Sequence, residues 1–306
     1  MQKALIICGP TASGKTELAH QIALDNNGEI VNADSMQLYK QLAIITDSPS
    51  PKRKNELPYH LYNFQDIDKE FSAVKYVKCA SKTIRQITQR SKLPIIVGGS
   101  GMYINMLING YSTIPEIEDT IRTEARNLHQ EIGSEKFFKK LEKLDPKIVT
   151  ILNAGDTQRV IRAYEVMKQT GESVLNFQTK SNTKPLLSDF DFQIFFLLPE
   201  RKFLYNTCNT RLIQLFNGEA IEEVESVYKH YGDLKTSAMN ALGVYEIISY
   251  IKGDITREKA IELASTRTRQ YAKRQITWFH NKLSKKQTIE FGSTEEYIQI
   301  TKIKYT

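Results

Sequence analysis

The stretch Gly9-Pro10-Thr11-Ala12-Ser13-Gly14-Lys15-Thr16 matches the phosphate-binding pattern G-x-x-x-x-G-K-[ST] at every defined position. The preceding segment, Lys3–Cys8, predicts a buried strand, and the segment that begins at Lys15 predicts an amphipathic helix. A glycine-containing loop in that context turns backbone N–H groups towards phosphate oxygens, and the helix N-terminus favours negative charge. The sequence therefore predicts a phosphate cradle over Gly9–Thr16, with a cation at Lys15 and a Mg²⁺ ligand at Thr16.

Apolar segments of strand length continue to alternate with amphipathic ones over the first hundred residues. Glu29–Asn32 and Leu93–Val97 predict strands, and Ser72–Arg90 predicts a helix between them. This alternation is typical of βαβ units with parallel strands. We therefore predict an α/β fold with a P-loop NTPase-like parallel sheet.

The alternation stops after residue 113. Residues 114–185 carry helical signals only, Phe192–Leu198 predicts one more strand, and residues 202–286 are helical again. We predict an α/β core formed by residues 1–113 and 186–306, with a helical C-terminal region. We predict residues 114–185 to be a helical insertion domain.

The bulk composition favours a soluble protein with an anionic partner. The formal net charge is +7, and the three cysteines, Cys8, Cys79 and Cys208, have no zinc-site spacing. Scattered thiols and the lack of a signal-peptide pattern or a long apolar run predict a cytoplasmic protein that does not enter the membrane.

The phosphate cradle lacks the other parts of a nucleotide-hydrolysing site. A Walker B acid is expected at the end of a core strand, but Leu93–Val97 is followed by Gly98-Gly99-Ser100-Gly101. The nearest string to a guanine-recognition motif, Asn281-Lys282-Leu283-Ser284, lacks its aspartate. The cradle therefore predicts phosphate binding rather than ATP or GTP hydrolysis.

Asp34-Ser35-Met36-Gln37 directly follows the second predicted strand. Because ligands of open α/β sheets bind at the carboxyl ends of the strands, Asp34 is expected on the same rim as the phosphate cradle. By position alone it is either a base or substrate ligand, or the cap of a turn or helix, and both interpretations stay open.

Two helical stretches carry cations. Residues 265–286 contain seven Lys or Arg and no acid, and a helical projection interleaves Arg267 and Arg274 with Tyr271 and Trp278. That pattern is typical of nucleic-acid surfaces, although a solvated basic face has the same composition. Arg159 and Arg162, three residues apart, could grip neighbouring phosphates or could be ordinary surface arginines.

Five motifs in one order make a family resemblance. Gly9–Thr16 followed by Asp34-Ser35-Met36-Gln37-Leu38-Tyr39, then Val97–Tyr103, Asp156–Ala163 and Thr268–Phe279, resembles the tRNA dimethylallyltransferases over roughly residues 4–283. The resemblance implies transfer of a dimethylallyl group from dimethylallyl diphosphate, with Mg²⁺, to the exocyclic amine of the adenosine on the 3′ side of the anticodon in tRNA. We expect a monomer.

The resemblance also implies roles for single residues. Asp34 would contact the adenine amine, Thr11 and Lys15 would lie at the pyrophosphate bridge, and Arg211 would hold the diphosphate. The anticodon stem-loop would be contacted by Asp34, Ser35, Met36, Gln37, Ser100, Gln158, Arg159, Val160, Ile161, Arg162, Arg269, Lys273 and Arg274.

One loop departs from the family pattern. The family usually has Asp-Ile-Gly-Thr-Ala-Lys-Pro where this chain has Ala43-Ile44-Ile45-Thr46-Asp47-Ser48-Pro49. The glycine and the lysine of the family pattern are missing from this loop.

Three other functions share parts of the pattern. An adenylate isopentenyltransferase has the same core but needs neither the insertion nor the basic helix. A P-loop small-molecule kinase would need the acid that is missing after Val97. A non-enzymatic RNA-binding switch would need a base-selectivity motif.

Overall fold

The computed structural model describes residues 1–180, 184–234 and 236–302. Residues 181–183 of the predicted insertion, and residues 235 and 303–306 of the predicted core, lie outside the described residues.

The described strands form one parallel sheet in the order β3-β2-β4-β1-β5-β6. The strands are β1 (Gln2–Cys8), β2 (Gly28–Asn32), β3 (Tyr59–His60), β4 (Leu93–Gly98), β5 (Phe190–Pro199) and β6 (Lys286–Phe291). β1 is central, paired on one side with β4 and on the other with β5. Its residues from Ala4 to Cys8 are buried, as a strand covered on both faces requires. The predicted α/β fold with a parallel sheet is confirmed.

The described helices are α1 (Lys15–Asp25), α2 (Pro51–Glu56), α3 (Ala73–Gln89), α4 (Gly101–Asn109), α5 (Asp119–Leu144), α6 (Thr157–Thr170), α7 (Val174–Lys180), α8 (Arg201–Asn217), α9 (Ala220–Tyr231), α10 (Val244–Ile251), α11 (Arg257–Lys282) and α12 (Thr294–Thr301). Single 3₁₀ turns occupy Lys40–Leu42, Ile148–Thr150 and Ser237–Asn240.

The chain divides into two compact units, Met1–Ile108 with Leu186–Thr306, and Asn109–Pro185. The α/β unit has an apolar core between the sheet and α1, which includes Leu18, Ile22 and Ile30. The helical unit has its own core, which includes Phe137, Leu141 and Tyr164. Each unit therefore buries apolar surface of its own, the main source of folding free energy.

The C-terminal part of the core differs from the sequence prediction. Helix α11 ends at Lys282, and Lys286–Phe291 then pairs in parallel with β5 as an edge strand. Five of the six residues of this strand are at most half-buried, and four of these five are polar or charged. An edge strand without a continuous apolar run carries a weak sequence signal, which is why the helical prediction for residues 202–286 did not anticipate it.

Candidate diphosphate and acceptor site

A cavity of about 380 Å³ opens where β1, β2 and β4 end. Its walls come from the phosphate loop, from the turn after β2, from the loop before α2, and from α8. The lining residues are Thr11, Ala12, Ser13, Gly14, Lys15, Thr16, Glu17, Asp34, Gln37, Thr46, Asp47, Ser48, Pro49, Ser50, Arg53, Val97, Gly98 and Arg211. The cavity therefore combines Thr11 and Lys15 of the phosphate loop with Asp34 and Arg211, which come from other parts of the sequence.

The phosphate loop has the backbone geometry of an anion cradle. Ala12 and Gly14 adopt left-handed conformations, with φ of 61° and 81°, and Gly14 is the N-cap of α1. The hydroxyl of Ser13 is buried and has no hydrogen-bond partner among the described residues. Because a buried hydroxyl without a partner is costly, this Oγ atom is suited to a phosphate oxygen.

Lys15 lies at the start of α1, and its ammonium group donates to the carbonyl oxygen of Pro10 over 2.5 Å. The pKa of Lys15 is lowered to about 8, mainly by burial; the negative charge of Asp34 opposes this shift, and the positive charge of Arg211 adds to it. A diphosphate would reverse the effect of burial, because an adjacent anion stabilises the charged amine.

Arg211, on α8, reaches the same loop. Its Nη1 atom donates to Oγ1 of Thr11 over 3.1 Å, and its Nε atom lies 3.5 Å from Oδ2 of Asp47. Asp47 belongs to the loop that departs from the family pattern. The guanidinium group is thus held against the phosphate loop before any ligand arrives.

Gln275 ties the phosphate loop to the loop that follows β4. Its Oε1 atom accepts from the N–H group of Thr11 over 2.8 Å, and its Nε2 atom donates to the carbonyl oxygen of Gly99 over 3.0 Å. A Cβ atom at Gly99 would lie 2.2 Å from that Nε2 atom, so the position requires glycine. Gln275 is 5% exposed, and its buried amide satisfies two backbone groups that have no ladder partner.

Asp34 lies in the turn after β2 and is half-buried. Its Oδ1 atom accepts from the N–H group of Met36 over 3.0 Å, and its own N–H group donates to Oδ1 of Asn32 over 2.7 Å. One carboxylate oxygen of Asp34 thus caps a turn, and no α-helix begins here. Its role towards a substrate stays a prediction. The negative charge of Asp34, together with the larger effect of burial, raises the pKa of Tyr271. Asp34 thus lines the cavity together with the phosphate loop, and its charge acts on an aromatic side chain of α11.

Two other residues of this turn are joined to neighbouring loops, Ser35 to the loop after β4 and Gln37 to the loop before α2. The hydroxyl of Ser100 accepts from the N–H group of Ser35 over 2.8 Å and lies 3.1 Å from the Ser35 hydroxyl. The amide of Gln37 donates to the carbonyl oxygens of Thr46 and Asp47 over 3.0 and 2.9 Å. Gln37 therefore supports the divergent loop, the segment of residues 43–49 that departs from the family pattern.

Close packing explains the glycines after β4. A Cβ atom at Gly98 would lie 2.1 Å from the backbone of Ala33, and one at Gly101 would lie 2.1 Å from the ring of Trp278. The absence of side chains brings the ends of β2 and β4 together and lets α11 approach.

The predicted RNA-contacting residues of the helical unit lie on α6 and differ in exposure. Gln158 and Arg159 are exposed, and Arg162 and Ile161 are half-buried. Val160 is 1% exposed and packs in the core of its unit. Helical periodicity turns this side chain inwards, and the contact of Val160 with tRNA stays a prediction.

The two arginines of α6 have different partners. Arg159 lies 3.6 Å from the carboxylate of Asp156, one turn earlier, and its side chain is 75% exposed. Arg162 donates over 3.2 Å to the carboxylate of Glu165, a residue that is only 6% exposed. Asp156 is the N-cap residue, but its side chain makes no capping hydrogen bond.

The basic residues of α11 also divide into two groups. Arg269 is half-buried and donates to Asn209 and Thr266 over 2.7 and 2.9 Å. Lys273 and Arg274 are exposed and line a shallow groove beside Trp278. Only the second group presents free cations next to an aromatic ring, the combination that suits a nucleic acid.

Metal ligands are sparse among the described residues. No group of three or more His, Cys, Asp or Glu side chains there could hold a metal ion by itself. Thr16 and Asp34 nevertheless line the cavity, and Mg²⁺ commonly takes only one or two protein oxygens and completes its shell with phosphate and water. The residues present fit a magnesium ion that arrives with a diphosphate.

In the described part of the chain, no helix has the length and apolar character that crossing a membrane demands.

The sequence did not assign roles to Gln275, Asp47 and Arg53. Gln275 lies inside a recognised motif, but nothing at that position indicates its partners in the phosphate loop 264 residues away. Asp47 and Arg53 line the cavity from a loop and a short helix with no chemical motif of their own.

A family model described as IPP transferase matches residues 37–282, which is most of the chain. The chain belongs to the IPP transferase family. This match begins at Gln37, at the end of the turn after β2, and runs through the helical unit and α11. The phosphate loop and Asp34 precede it.

Relatives of the IPP transferase chain are similar over nearly its full length. Proteins named tRNA dimethylallyltransferase from Rickettsia conorii and Rickettsia felis are each 49% identical over 302 residues, covering 98% and 99% of this chain and 83% and 97% of theirs.

Solved structures agree with the fold. A full-length tRNA isopentenylpyrophosphate transferase from Bacillus halodurans is 30% identical, with a TM-score of 0.69 over 98% of this chain and 95% of its own. A eukaryotic dimethylallyltransferase acting on tRNA is 26% identical, with a TM-score of 0.81 over 97% and 76% of the two chains.

Proposed function

We propose that this IPP transferase is a tRNA dimethylallyltransferase. It transfers a dimethylallyl group from dimethylallyl diphosphate to the exocyclic amine of the adenosine on the 3′ side of the anticodon in tRNA, and releases pyrophosphate. The observation that carries the proposal is the single cavity that contains Lys15, Arg211 and Asp34. Cations for a leaving diphosphate and a carboxylate for an incoming amine are the two requirements of this reaction.

The phosphate loop prepares the leaving group. As the bond between the allylic carbon and the diphosphate oxygen breaks, negative charge grows on that oxygen. Lys15, Arg211 and the N–H groups at the start of α1 supply positive charge that is already oriented, so little reorganisation is needed during the reaction. Thr11 holds Arg211 in this orientation through its hydroxyl group.

Thr16 is the residue that would hold Mg²⁺ against the diphosphate, and the ion would supply further neutralisation of the leaving charge. The hydroxyl of Thr16 and oxygens of the diphosphate form a donor set of the kind that Mg²⁺ prefers.

Asp34 serves the acceptor. The amine of adenine is a weak nucleophile, and a carboxylate that accepts its hydrogen bond directs the lone pair towards the allylic carbon. When the nitrogen–carbon bond forms, one amine proton leaves, either to Asp34 or to the departing diphosphate. Both substrates bound in one site react with a lower entropic barrier than two free molecules.

The tRNA is held by its backbone outside the cavity. Exposed cations on α6 (Arg159, with Arg162) and on α11 (Lys273 and Arg274) are the candidates for phosphate contacts. Gln158, Ile161 and Arg269 add polar and apolar contacts, and the adenosine leaves the anticodon stack to enter the site, at a cost of a few kcal/mol. The tRNA substrate implies work in the cytoplasm, and one chain contains every residue that these steps use, so we infer a monomer.

Mass spectrometry of tRNA tests the proposal. Total tRNA from a strain that lacks this gene is expected to have lost the isopentenyl group, and the wild-type gene is expected to restore it. An unchanged tRNA profile with altered free prenylated adenine nucleotides would instead support an adenylate isopentenyltransferase, and an unchanged profile of both would support a kinase or a binding protein.

A further inference from the structure

Arg53 enters the cavity from the short helix α2. The hydroxyl of Ser50, the N-cap of α2, accepts from the N–H group of Arg53, and Pro51 occupies the first helical position. These features fix the first turn of the helix. The side chain of Arg53 lines the same cavity as Lys15 and Arg211.

The divergent loop supplies this cavity with a negative charge in place of a positive one. Residues 43–50 contain no lysine or arginine, and Asp47 is their only charged residue. The carboxylate of Asp47 lies 3.5 Å from Nε of Arg211, and its charge also favours the protonated form of Arg53. The side of a bound diphosphate that faces the divergent loop therefore needs a cation from another element.

The charges along the cavity wall cancel as they stand. Three cations, Lys15, Arg53 and Arg211, face three carboxylates, Glu17, Asp34 and Asp47. Arg53 is paired with Glu17, in the first turn of α1. Both side chains of this pair are at least one-third exposed, so the pair contributes little stability and is readily exchanged for another anion.

We propose that Arg53 is a diphosphate-binding residue, which leaves Glu17 and joins Lys15 and Arg211 on the diphosphate of the prenyl donor. This inference rests on the proposed function. A guanidinium fork matches two phosphate oxygens better than an ammonium does, so Arg53 replaces the missing lysine of the divergent loop from a neighbouring element. Glu17 then holds Arg53 ready beside the N-terminus of α1, where a carboxylate is favourable in its own right.

A purely structural role makes a different prediction. If the pair only ties α2 to α1, loss of either partner has the same consequence. If Arg53 binds the diphosphate, loss of Arg53 weakens binding, and loss of Glu17 frees the arginine and leaves binding equal or tighter. Arg53→Gln and Glu17→Gln are therefore a matched pair of variants.

Calorimetric titration of the full chain with inorganic pyrophosphate separates these outcomes. Arg53→Gln is expected to raise the Kd about tenfold, as the loss of a charged hydrogen bond implies. Glu17→Gln is expected to leave the Kd unchanged or lower it. Arg85→Gln, which removes an ion pair with Asp189 away from the cavity, controls for the loss of one positive charge. Equal weakening by Arg53→Gln and Glu17→Gln, or wild-type binding by Arg53→Gln, would overturn the inference.

Lys15→Ala distinguishes failure of this inference from failure of the proposed function. If Lys15→Ala weakens pyrophosphate binding and Arg53→Gln does not, only the role of Arg53 is wrong. If Lys15→Ala also binds like the wild type, the phosphate loop is not the diphosphate site and the proposed function fails with it. In the transfer reaction, Arg53→Gln is expected to raise the KM for dimethylallyl diphosphate more than it lowers kcat.

Discussion

Two sets of cations, one in each compact unit, are held in contrasting ways. Lys15 and Arg211 are fixed by hydrogen bonds to the phosphate loop itself, at 2.5 Å to Pro10 and 3.1 Å to Thr11. Within the described part of the chain, Arg159 and Arg162 pair with carboxylates three residues away, at 3.6 and 3.2 Å. The first arrangement is preorganised for charge that develops at one point, and the second leaves side chains adaptable to a polyanion.

The strongest test of the contrast is Lys15→Ala. We expect prenyl transfer to fall by about 10³-fold or more, because the charge and its fixed orientation disappear together. Binding of tRNA in a mobility-shift assay is expected to stay within about twofold of the wild type. Loss of tRNA binding by a folded variant would show that the two cation sets do not have separate roles.

Asp34→Ala and Asp34→Asn examine the acceptor side of the same cavity. For the Ala variant we expect single-turnover transfer to slow by about 10²–10⁴-fold, the range of a positioned acid–base group, with little change in substrate binding. An equally slow Asn variant would mean that proton acceptance matters. A fast Asn variant would mean that Asp34 only orients the base, and an Ala variant within about threefold of the wild type would exclude any catalytic role.

Gln275→Leu tests whether the phosphate loop needs its support from α11. The variant leaves the N–H group of Thr11 and the carbonyl group of Gly99 without their partner. We expect the free energy of unfolding to fall by about 1–3 kcal/mol for each group that stays buried and unpaired, and transfer to slow. Urea denaturation measures the first effect and steady-state kinetics the second. An exposed residue on the same helix, as in Gln270→Leu, provides the control, and equal behaviour of the two variants would contradict the support role.

Arg159→Ala has the smallest expected effect, and it tests the second set of cations, Arg159 and Arg162. The salt dependence of tRNA binding is expected to flatten by about 0.7–0.9 in the slope of log K against log salt, with pyrophosphate binding unchanged. Arg122→Ala is a matched control, since Arg122 lies in the same unit, 3.5 Å from an aspartate three residues away. Arg162→Ala is expected to flatten the slope too, and also to destabilise the unit, because it leaves the buried Glu165 without its partner. An unaltered slope for both would place these arginines outside the RNA interface.

The features that could be predicted from the sequence are those with a local pattern in the chain. The phosphate loop is one contiguous motif between a strand and a helix, so its position at the carboxyl end of β1 could be predicted from the sequence. The position of Asp34 on the same rim could be predicted because the carboxyl ends of parallel strands meet at one side of the sheet. The parallel sheet was predictable for the same reason, as its central strands are long apolar runs.

What escaped prediction depends on contacts between distant segments. The amide of Gln275 meets Thr11 across 264 residues, and Arg53 faces Glu17 across 36; neither position has a local pattern that indicates a partner. The edge strand β6 lacks an apolar run. The burial of Val160 also escaped prediction, because a motif on a helix includes the residues that hold the helix in its core as well as those that face outwards.

The most direct test of the central claim is transfer of labelled dimethylallyl diphosphate to a defined acceptor. Two transcripts of the same tRNA are compared, one with adenosine and one with guanosine on the 3′ side of the anticodon, alongside free AMP, ADP and ATP. The account predicts label in the adenosine transcript alone, and none in that transcript when the enzyme carries Lys15→Ala. Label in the guanosine transcript or in a free nucleotide, with the adenosine transcript unlabelled, would contradict it.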